Sequence, residues 1–143
     1  ELVCEFNDVQ WIDDSKGTNV GATTSAILGL DRPMILILGG VHKGGSLDAL
    51  IEAVRSRVGL VIAFGRDKQI FIDALKGVVE VVQQNSLTAS VEYAYQKAKS
   101  GEAVLFSPAC ASFDMFSNYI ERGMAFQSAI KQCIQRDDDG CRS

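Results

Sequence analysis

Residues 13–19 of the 143-residue chain (DDSKGTN) combine acidic, basic and hydroxyl side chains directly before a predicted helix. The first turn of a helix presents unpaired backbone N–H groups and the positive end of the helix dipole. Lys16 adds a full positive charge, and Thr18 or Asn19 can cap the helix. The segment therefore favours anion binding, although the same pattern is also typical of an ordinary N-cap beside a solvated lysine.

Residues 39–45 (GGVHKGG) place four glycines around Lys43. Glycine lets the backbone approach a ligand closely, so this loop is a second candidate for anion binding, with a flexible turn as the alternative. The loop is not a P-loop, because the pattern GxxxxGK[ST] occurs nowhere in the sequence. His42 could serve as a base, but a single loop histidine is more often incidental.

Residues 107–114 (SPACASFD) follow an apolar run and precede a long predicted helix. Ser112 is a candidate hydrogen-bond donor to an anion. Cys110 could act as a nucleophile, but its neighbours are small and neutral and the one histidine lies in another loop, so a packed small thiol is favoured. Residues 65–68 (GRDK) form a weaker basic segment that is more typical of a solvated turn.

Short apolar runs alternate with stretches of helical periodicity along the chain. The apolar runs predict strands at residues 9–12, 34–38, 60–64, 78–82 and 103–106. Helices are predicted at residues 18–30, after Ser46, at residues 67–75, after Ser86, and at residues 114–135. Five strand–helix units predict an α/β domain with a Rossmann-like three-layer fold, in which a mostly parallel sheet carries helices on both faces. Ligands of such sheets bind at the carboxyl ends of the strands, where the three loops are expected.

The composition narrows the class of protein further. The chain is 47% hydrophobic and 22% charged, which is typical of one folded domain. A net charge of −4 argues against nucleic acid or an anionic membrane as a partner, and no apolar run approaches the roughly 18 residues of a membrane span. The four cysteines show no metal-ligand spacing and are expected to be reduced thiols of a cytoplasmic protein. Because the first residue is Glu1, we expect a processed or excised piece of a longer protein.

The three loops, in this order and spacing, resemble the carboxy-terminal domain of the Mur ligase family. The resemblance rests on residues 14–19 (DSKGTN), 39–44 (GGVHKG) and 107–114, with FGRD at residues 64–67 between the second and third motifs. Ligases of this family that add other amino acids usually carry a histidine- or asparagine-bearing loop in place of residues 15–19, so the motif is specific. On this basis residues 1–136 are expected to form the Mur ligase domain and residues 137–143 a disordered tail.

The resemblance implies an ATP-dependent ligase of peptidoglycan synthesis that adds D-glutamate to UDP-N-acetylmuramoyl-L-alanine through an acyl phosphate. Family members have three domains. The first binds the UDP moiety, the second supplies the ATP P-loop and the Mg²⁺ ligands, and the third brings the amino acid and closes over ATP. This chain resembles the third domain, so the missing amino-terminal and central domains are its expected partners. It is expected to be inactive by itself.

The resemblance also implies roles for particular residues. Those expected to hold D-glutamate or to line its pocket are Thr18, Lys43, Ser112, Phe113 and Tyr119. Asp14 is expected to meet the ribose of ATP, and Lys16 to lie near the phosphates or the developing intermediate as the catalytic lysine. His42 and Phe113 depart from the residues that are usual in the family. The alternatives are the same domain of another amino-acid-adding Mur or folylpolyglutamate ligase, or a non-catalytic Rossmann-like module that binds anions.

Overall fold

The computed structural model describes residues 2–14, 20–39, 46–107 and 119–141, with backbone alone for residues 119, 122 and 137–141. Strands and helices alternate along the described chain after an initial pair of strands. In chain order the elements are β1 (Leu2–Phe6), β2 (Val9–Asp13), α1 (Val20–Leu28), β3 (Met34–Gly39), α2 (Asp48–Arg57), β4 (Val58–Phe64), α3 (Lys68–Leu75), β5 (Glu80–Gln83), α4 (Leu87–Lys97), β6 (Ala103–Phe106) and α5 (Tyr119–Cys141).

The strands form one sheet in the order β1-β2-β6-β3-β4-β5. All neighbouring pairs are parallel except β1 and β2, which are antiparallel. The chain passes from β2 to β3 to β4 to β5 in one direction and then returns to insert β6 between β2 and β3. Right-handed crossovers therefore place α1, α2 and α3 on one face of the sheet and α4 on the other. Helix α5, which follows the last strand, packs beside α4 over the same core. The predicted α/β fold, with a mostly parallel sheet between two helical layers, is confirmed.

The middle of the sheet is buried on both faces. All six residues of β3 are buried, as the uninterrupted apolar run predicts for a strand covered from both sides. Alternate side chains of this strand enter different cores. Ile35 and Ile37 pack with Phe126 of α5, whereas Leu36 packs with Leu50 of α2. Each helical layer thus seals its own apolar core against the same strands.

The β1–β2 hairpin is an element that the sequence analysis missed. Its two turn residues, Asn7 and Asp8, have φ angles of 55° and 60°. Two consecutive residues in the left-handed region form the two-residue turn that joins antiparallel strands most readily, and asparagine and aspartate tolerate it best after glycine. The hairpin extends the sheet beyond β2 and shields the edge of that strand.

Several element boundaries differ from the predictions. Helix α1 ends at Leu28, β4 begins at Val58, and β5 covers Glu80–Gln83 rather than residues 78–82. Helix α5 continues through Cys141, whereas the apolar pattern predicts an end near residue 135. Just beyond the predicted end, the Arg136 guanidinium binds the Glu92 carboxylate of α4 at 2.7 Å in an exposed ion pair.

Predicted helix starts agree better with the structure. Ser86 is the N-cap of α4, and its hydroxyl accepts the Ala89 N–H at 3.0 Å. At the start of α2 the Ser46 hydroxyl accepts the Asp48 N–H at 3.2 Å, but the N-cap residue is Leu47, so Ser46 lies one residue before the cap position. Within the described residues, no helix is both long and apolar enough to cross a membrane.

Candidate functional site

Three neighbouring strands, β2, β6 and β3, end at one edge of the sheet. Main-chain hydrogen bonds join them up to that edge. The Asp14 N–H donates to the Phe106 carbonyl at 2.8 Å, and the Ser107 N–H donates to the Ile37 carbonyl at 3.2 Å. The three predicted loops continue in the sequence from Asp14, Gly39 and Ser107. The residues that precede these loops therefore lie at the carboxyl ends of adjacent strands, where parallel sheets bind ligands.

A buried polar network occupies this edge. The Ser107 hydroxyl oxygen lies 2.8 Å from Asp14 Oδ2 and 2.8 Å from Thr23 Oγ1. Ser107 and Thr23 have no exposed surface, whereas Asp14 is half-buried. A buried hydroxyl without a partner is destabilising, so these contacts satisfy groups that have no access to water. The network connects β2, β6 and α1 through side chains that are up to 93 residues apart in sequence.

Thr23 and Ser107 are functional candidates that sequence reasoning missed. The sequence indicates Ser107 only as the start of the third loop and Thr23 only as part of a predicted helix. One signal was available for Thr23, because it lies four residues before Ile27 on the buried face of α1. A hydroxyl on an apolar helix face requires a polar partner, but the sequence alone does not identify it.

Gly39 ends β3 with the ring of Phe64 directly against its Cα. A Cβ at this position would lie 2.5 Å from Cε1 and 2.6 Å from Cδ1 of Phe64. These distances are far below van der Waals contact between carbon atoms. Packing against β4 thus favours glycine here, independently of any ligand that the loop after Gly39 binds.

Most of the predicted site residues lie outside the described part of the structure. These residues are Lys16, Thr18, Lys43, Ser112 and Phe113, together with the weaker candidates His42 and Cys110. Tyr119 is the first residue of α5, and its side chain is not described. Asp14 is therefore the predicted site residue whose side chain has a defined position, on the edge where ligands are expected.

The described residues contain no cluster of three or more His, Cys, Asp or Glu side chains that could hold a metal ion. Cys4 and Cys133 are free thiols, and burial raises the pKa of both above the ordinary thiol value. The Arg136 guanidinium, 3.6 Å from Cys133 Sγ, opposes this rise without cancelling it. Both thiols thus remain protonated and weakly nucleophilic at neutral pH.

A family profile described as "Mur ligase, glutamate ligase domain" matches residues 1–110. The chain belongs to the Mur ligase family. This Mur ligase domain is 43% identical over 134 residues to UDP-N-acetylmuramoylalanine–D-glutamate ligase of Chlorobium chlorochromatii, covering 94% of the chain and 29% of that relative. It is 47% identical over 145 residues to the equally named ligase of Hydrogenovibrio crunogenus, covering 98% of the chain and 32% of the relative. The chain thus spans about a third of the length of these curated relatives, matching their carboxy-terminal part.

Solved ligases share the fold of this Mur ligase domain. UDP-N-acetylmuramate-alanine ligase of Thermotoga maritima superposes with a TM-score of 0.63 at 14% identity, covering 98% of this chain and 30% of that one. MurF ligase from the same organism, solved in complex with ADP, superposes with a TM-score of 0.53 at 13% identity, covering 94% and 30%. At this low identity the likeness concerns the fold alone, and it agrees with the three-layer architecture described above.

Proposed function

We propose that this chain is the amino-acid-binding domain of an ATP-dependent ligase that adds D-glutamate to UDP-N-acetylmuramoyl-L-alanine. The observation that carries the proposal is the placement of Asp14, Gly39 and Ser107 at the ends of three adjacent strands. The loops that resemble the family's motifs all continue from these residues. Relatives that are 42–47% identical and carry the name of this ligase support the choice of D-glutamate.

The proposed reaction explains why cationic and hydroxyl side chains are needed. ATP transfers its terminal phosphoryl group to the substrate's carboxylate, which gives an acyl phosphate and ADP. The amine of D-glutamate then attacks the acyl carbon, and phosphate leaves as the amide forms. D-Glutamate has two carboxylates to be held while its amine remains free to attack. A lysine and two hydroxyls, from Lys43, Thr18 and Ser112, suit these carboxylates, and we assign Phe113 and Tyr119 to the walls of the same pocket.

The nucleotide side of the site is assigned to Asp14 and Lys16. A carboxylate only accepts hydrogen bonds, and a ribose offers two hydroxyl donors, so the chemistry of the Asp14 side chain suits this part of ATP. The ADP complex of a ligase with the same fold supports a nucleotide in this family. Lys16 is proposed to stabilise negative charge on the phosphates or the tetrahedral intermediate. Mg²⁺, which neutralises the phosphate charge when bound, is assigned mainly to the central domain.

The proposed partners follow from the length of the relatives. Because the chain corresponds to 29–32% of these ligases, we assign the UDP-binding and P-loop domains to the remainder of the same protein, located in the cytoplasm. The isolated chain is expected to show no ligase turnover, since the sequence contains no P-loop.

Substitution Lys43→Ala in the full-length protein tests the proposal. Losing a charge-assisted contact weakens binding by about 1.5–3 kcal/mol, so KM for D-glutamate should rise about 10- to 100-fold while KM for ATP is retained. The matched control is Lys131→Ala, which removes an exposed lysine of α5 and should leave both constants unchanged. Unchanged kinetics in Lys43→Ala would contradict the assignment of the pocket. Turnover with a different amino acid in place of D-glutamate would instead identify another ligase of the family.

A further inference from the structure

We propose that Ser107 is a positioning residue that orients the Asp14 carboxylate and thereby determines the enzyme's selectivity for a ribonucleotide. The inference rests on the proposed function, in which Asp14 meets the ribose of ATP. Ser107 does not itself touch the nucleotide in this proposal. It acts through the carboxylate oxygen to which its hydroxyl is bonded.

The direction of the hydrogen bonds follows from the number of available protons. The Ser107 hydroxyl carries one proton and has close oxygen neighbours on both Asp14 and Thr23, each at 2.8 Å. An ionised carboxylate only accepts, so Ser107 donates to Asp14 Oδ2. The Thr23 hydroxyl lies 2.8 Å from the Ser107 hydroxyl and donates to the Ser107 carbonyl oxygen at 3.4 Å. The hydrogen bond to the Asp14 carboxylate is therefore donated by Ser107.

The donor in this chain is held rigidly. Ser107 and Thr23 are completely buried, so water does not compete for their hydroxyls. The Ser107 N–H is bonded to the Ile37 carbonyl of β3 at 3.2 Å, and its carbonyl oxygen lies 3.4 Å from Thr23 Oγ1. Its position is thus determined by β3 on one side and α1 on the other. A hydroxyl held in this way donates its hydrogen bond in a fixed direction, whereas the hydroxyl of a mobile surface serine would not.

The acceptor, Asp14, is held at two points. The Asp14 backbone N–H is bonded to the Phe106 carbonyl at 2.8 Å, and Oδ2 is bonded to Ser107. Within the described residues, Ser107 is the one side chain that bonds this carboxylate. Because the backbone and Oδ2 of Asp14 are both fixed, the other carboxylate oxygen, Oδ1, has a defined direction. Asp14 is half-buried, so this oxygen lies at the ligand-binding edge of the sheet. A preoriented acceptor discriminates well between a ligand with the matching hydroxyl and one without it.

A purely structural role makes a different prediction. If the network only joined β6 to β2, removing the Ser107 hydroxyl would lower the stability of the protein and leave nucleotide selectivity unaltered. The two roles are therefore separated by the ratio of kcat/KM for ATP to kcat/KM for 2′-deoxy-ATP and for 3′-deoxy-ATP. A general loss of stability changes these values together and leaves their ratios constant.

The experiment measures these ratios in the full-length enzyme and its variants. We expect the unmodified enzyme to prefer ATP over at least one deoxy analogue by about tenfold or more, as for a hydroxyl bonded to a carboxylate. Ser107→Ala should reduce that preference below about threefold while KM for D-glutamate is retained. Ser107→Thr keeps the hydroxyl and should therefore retain the preference for ATP over the deoxy analogue. Ser100→Ala is the matched control, because the Ser100 hydroxyl also bonds an aspartate, Asp8, at 2.8 Å but in an exposed position outside this network.

The outcomes separate the inference from the function on which it rests. If Asp14→Asn leaves the preference for ATP intact, the ribose assignment of Asp14 is wrong and the inference fails with it. If Asp14→Asn abolishes the preference but Ser107→Ala preserves it, the inference alone is overturned. Should Ser107→Ala not fold, Thr23→Val replaces it, because valine has nearly the same shape as threonine and lacks the hydroxyl that contacts Ser107 from α1. That variant should lower the preference about two- to threefold, and an unchanged preference would overturn the inference.

Discussion

Replacing Gly39 by alanine tests how closely the end of β3 packs against β4. The new Cβ would lie 2.5–2.7 Å from three ring carbons of Phe64. Carbon atoms prefer separations of about 3.5–4.0 Å, so the ring must move by about 1 Å. Phe64 is 1% exposed and packs against Phe106, with ring centroids 6.2 Å apart. Phe106 in turn packs against Phe126 at 4.8 Å, so the displacement is passed into the core under α5.

The expected loss is that of an overpacked core. Such substitutions lower the free energy of unfolding by about 1–3 kcal/mol, and each kcal/mol lowers Tm by roughly 4 °C in a chain of this size. Urea unfolding followed by tryptophan fluorescence measures the change, because Trp11 is the chain's one tryptophan and is 1% exposed. The ring of Trp11 lies 6.4 Å from that of Phe126, so its emission reports on the same core.

A glycine at the other end of β4 supplies the control. Gly59 lies in β4, and a Cβ there would meet nothing within 4 Å. Gly59→Ala should therefore change the free energy of unfolding by less than about 1 kcal/mol, and we expect a small increase. The smaller Phe64→Leu should relieve the clash, so its combination with Gly39→Ala should show a coupling of at least about 1 kcal/mol. Equal effects of the two glycine substitutions, or strict additivity of the double variant, would refute the packing argument.

Two further predictions concern stability. Ser86→Ala removes the acceptor for the Ala89 N–H and should destabilise the chain by about 0.5–2 kcal/mol in urea unfolding, whereas Ser86→Asp, which keeps an acceptor, should cause a smaller loss. Because burial raises the thiol pKa of Cys133 and Cys4, the folded state holds these protons more tightly than the unfolded state. The contribution of the thiols to stability is then fully present below the ordinary thiol pKa of 9.0 and is lost as the pH rises from this value through the raised pKa of the folded state. Cys133→Ala should make the fall of Tm between about pH 8.5 and 10 shallower, and parallel curves would contradict this.

The elements that the sequence predicts well are those whose pattern is local. An uninterrupted apolar run is sufficient to indicate β3 as a central parallel strand, and a serine before an apolar helical stripe indicates the N-cap Ser86. The β1 strand escaped prediction because its side chains are mostly half-exposed and its turn, Asn7-Asp8, lacks the glycine that usually marks a two-residue hairpin.

The site could be predicted only as a collection of separate loops. The insertion of β6 between β2 and β3 brings Asp14 beside Ser107, and no local sequence pattern indicates this strand order. For the same reason the bond from Thr23 to Ser107, across 84 residues, was not foreseen. Residue types indicated the chemistry of the edge, whereas the long-range pairing of strands decided which of those residues meet.

The antiparallel direction of β1 has a consequence for how a longer protein would operate. Leu2 pairs with Ile12, so β1 starts at the edge of the sheet that carries Asp14. A domain attached ahead of Leu2 is then tethered beside the binding edge instead of at the far end of the molecule. A short connection keeps an attached domain at a high effective concentration near this edge of the sheet. The hairpin would thus determine at which end of the parallel strands an attached domain stands.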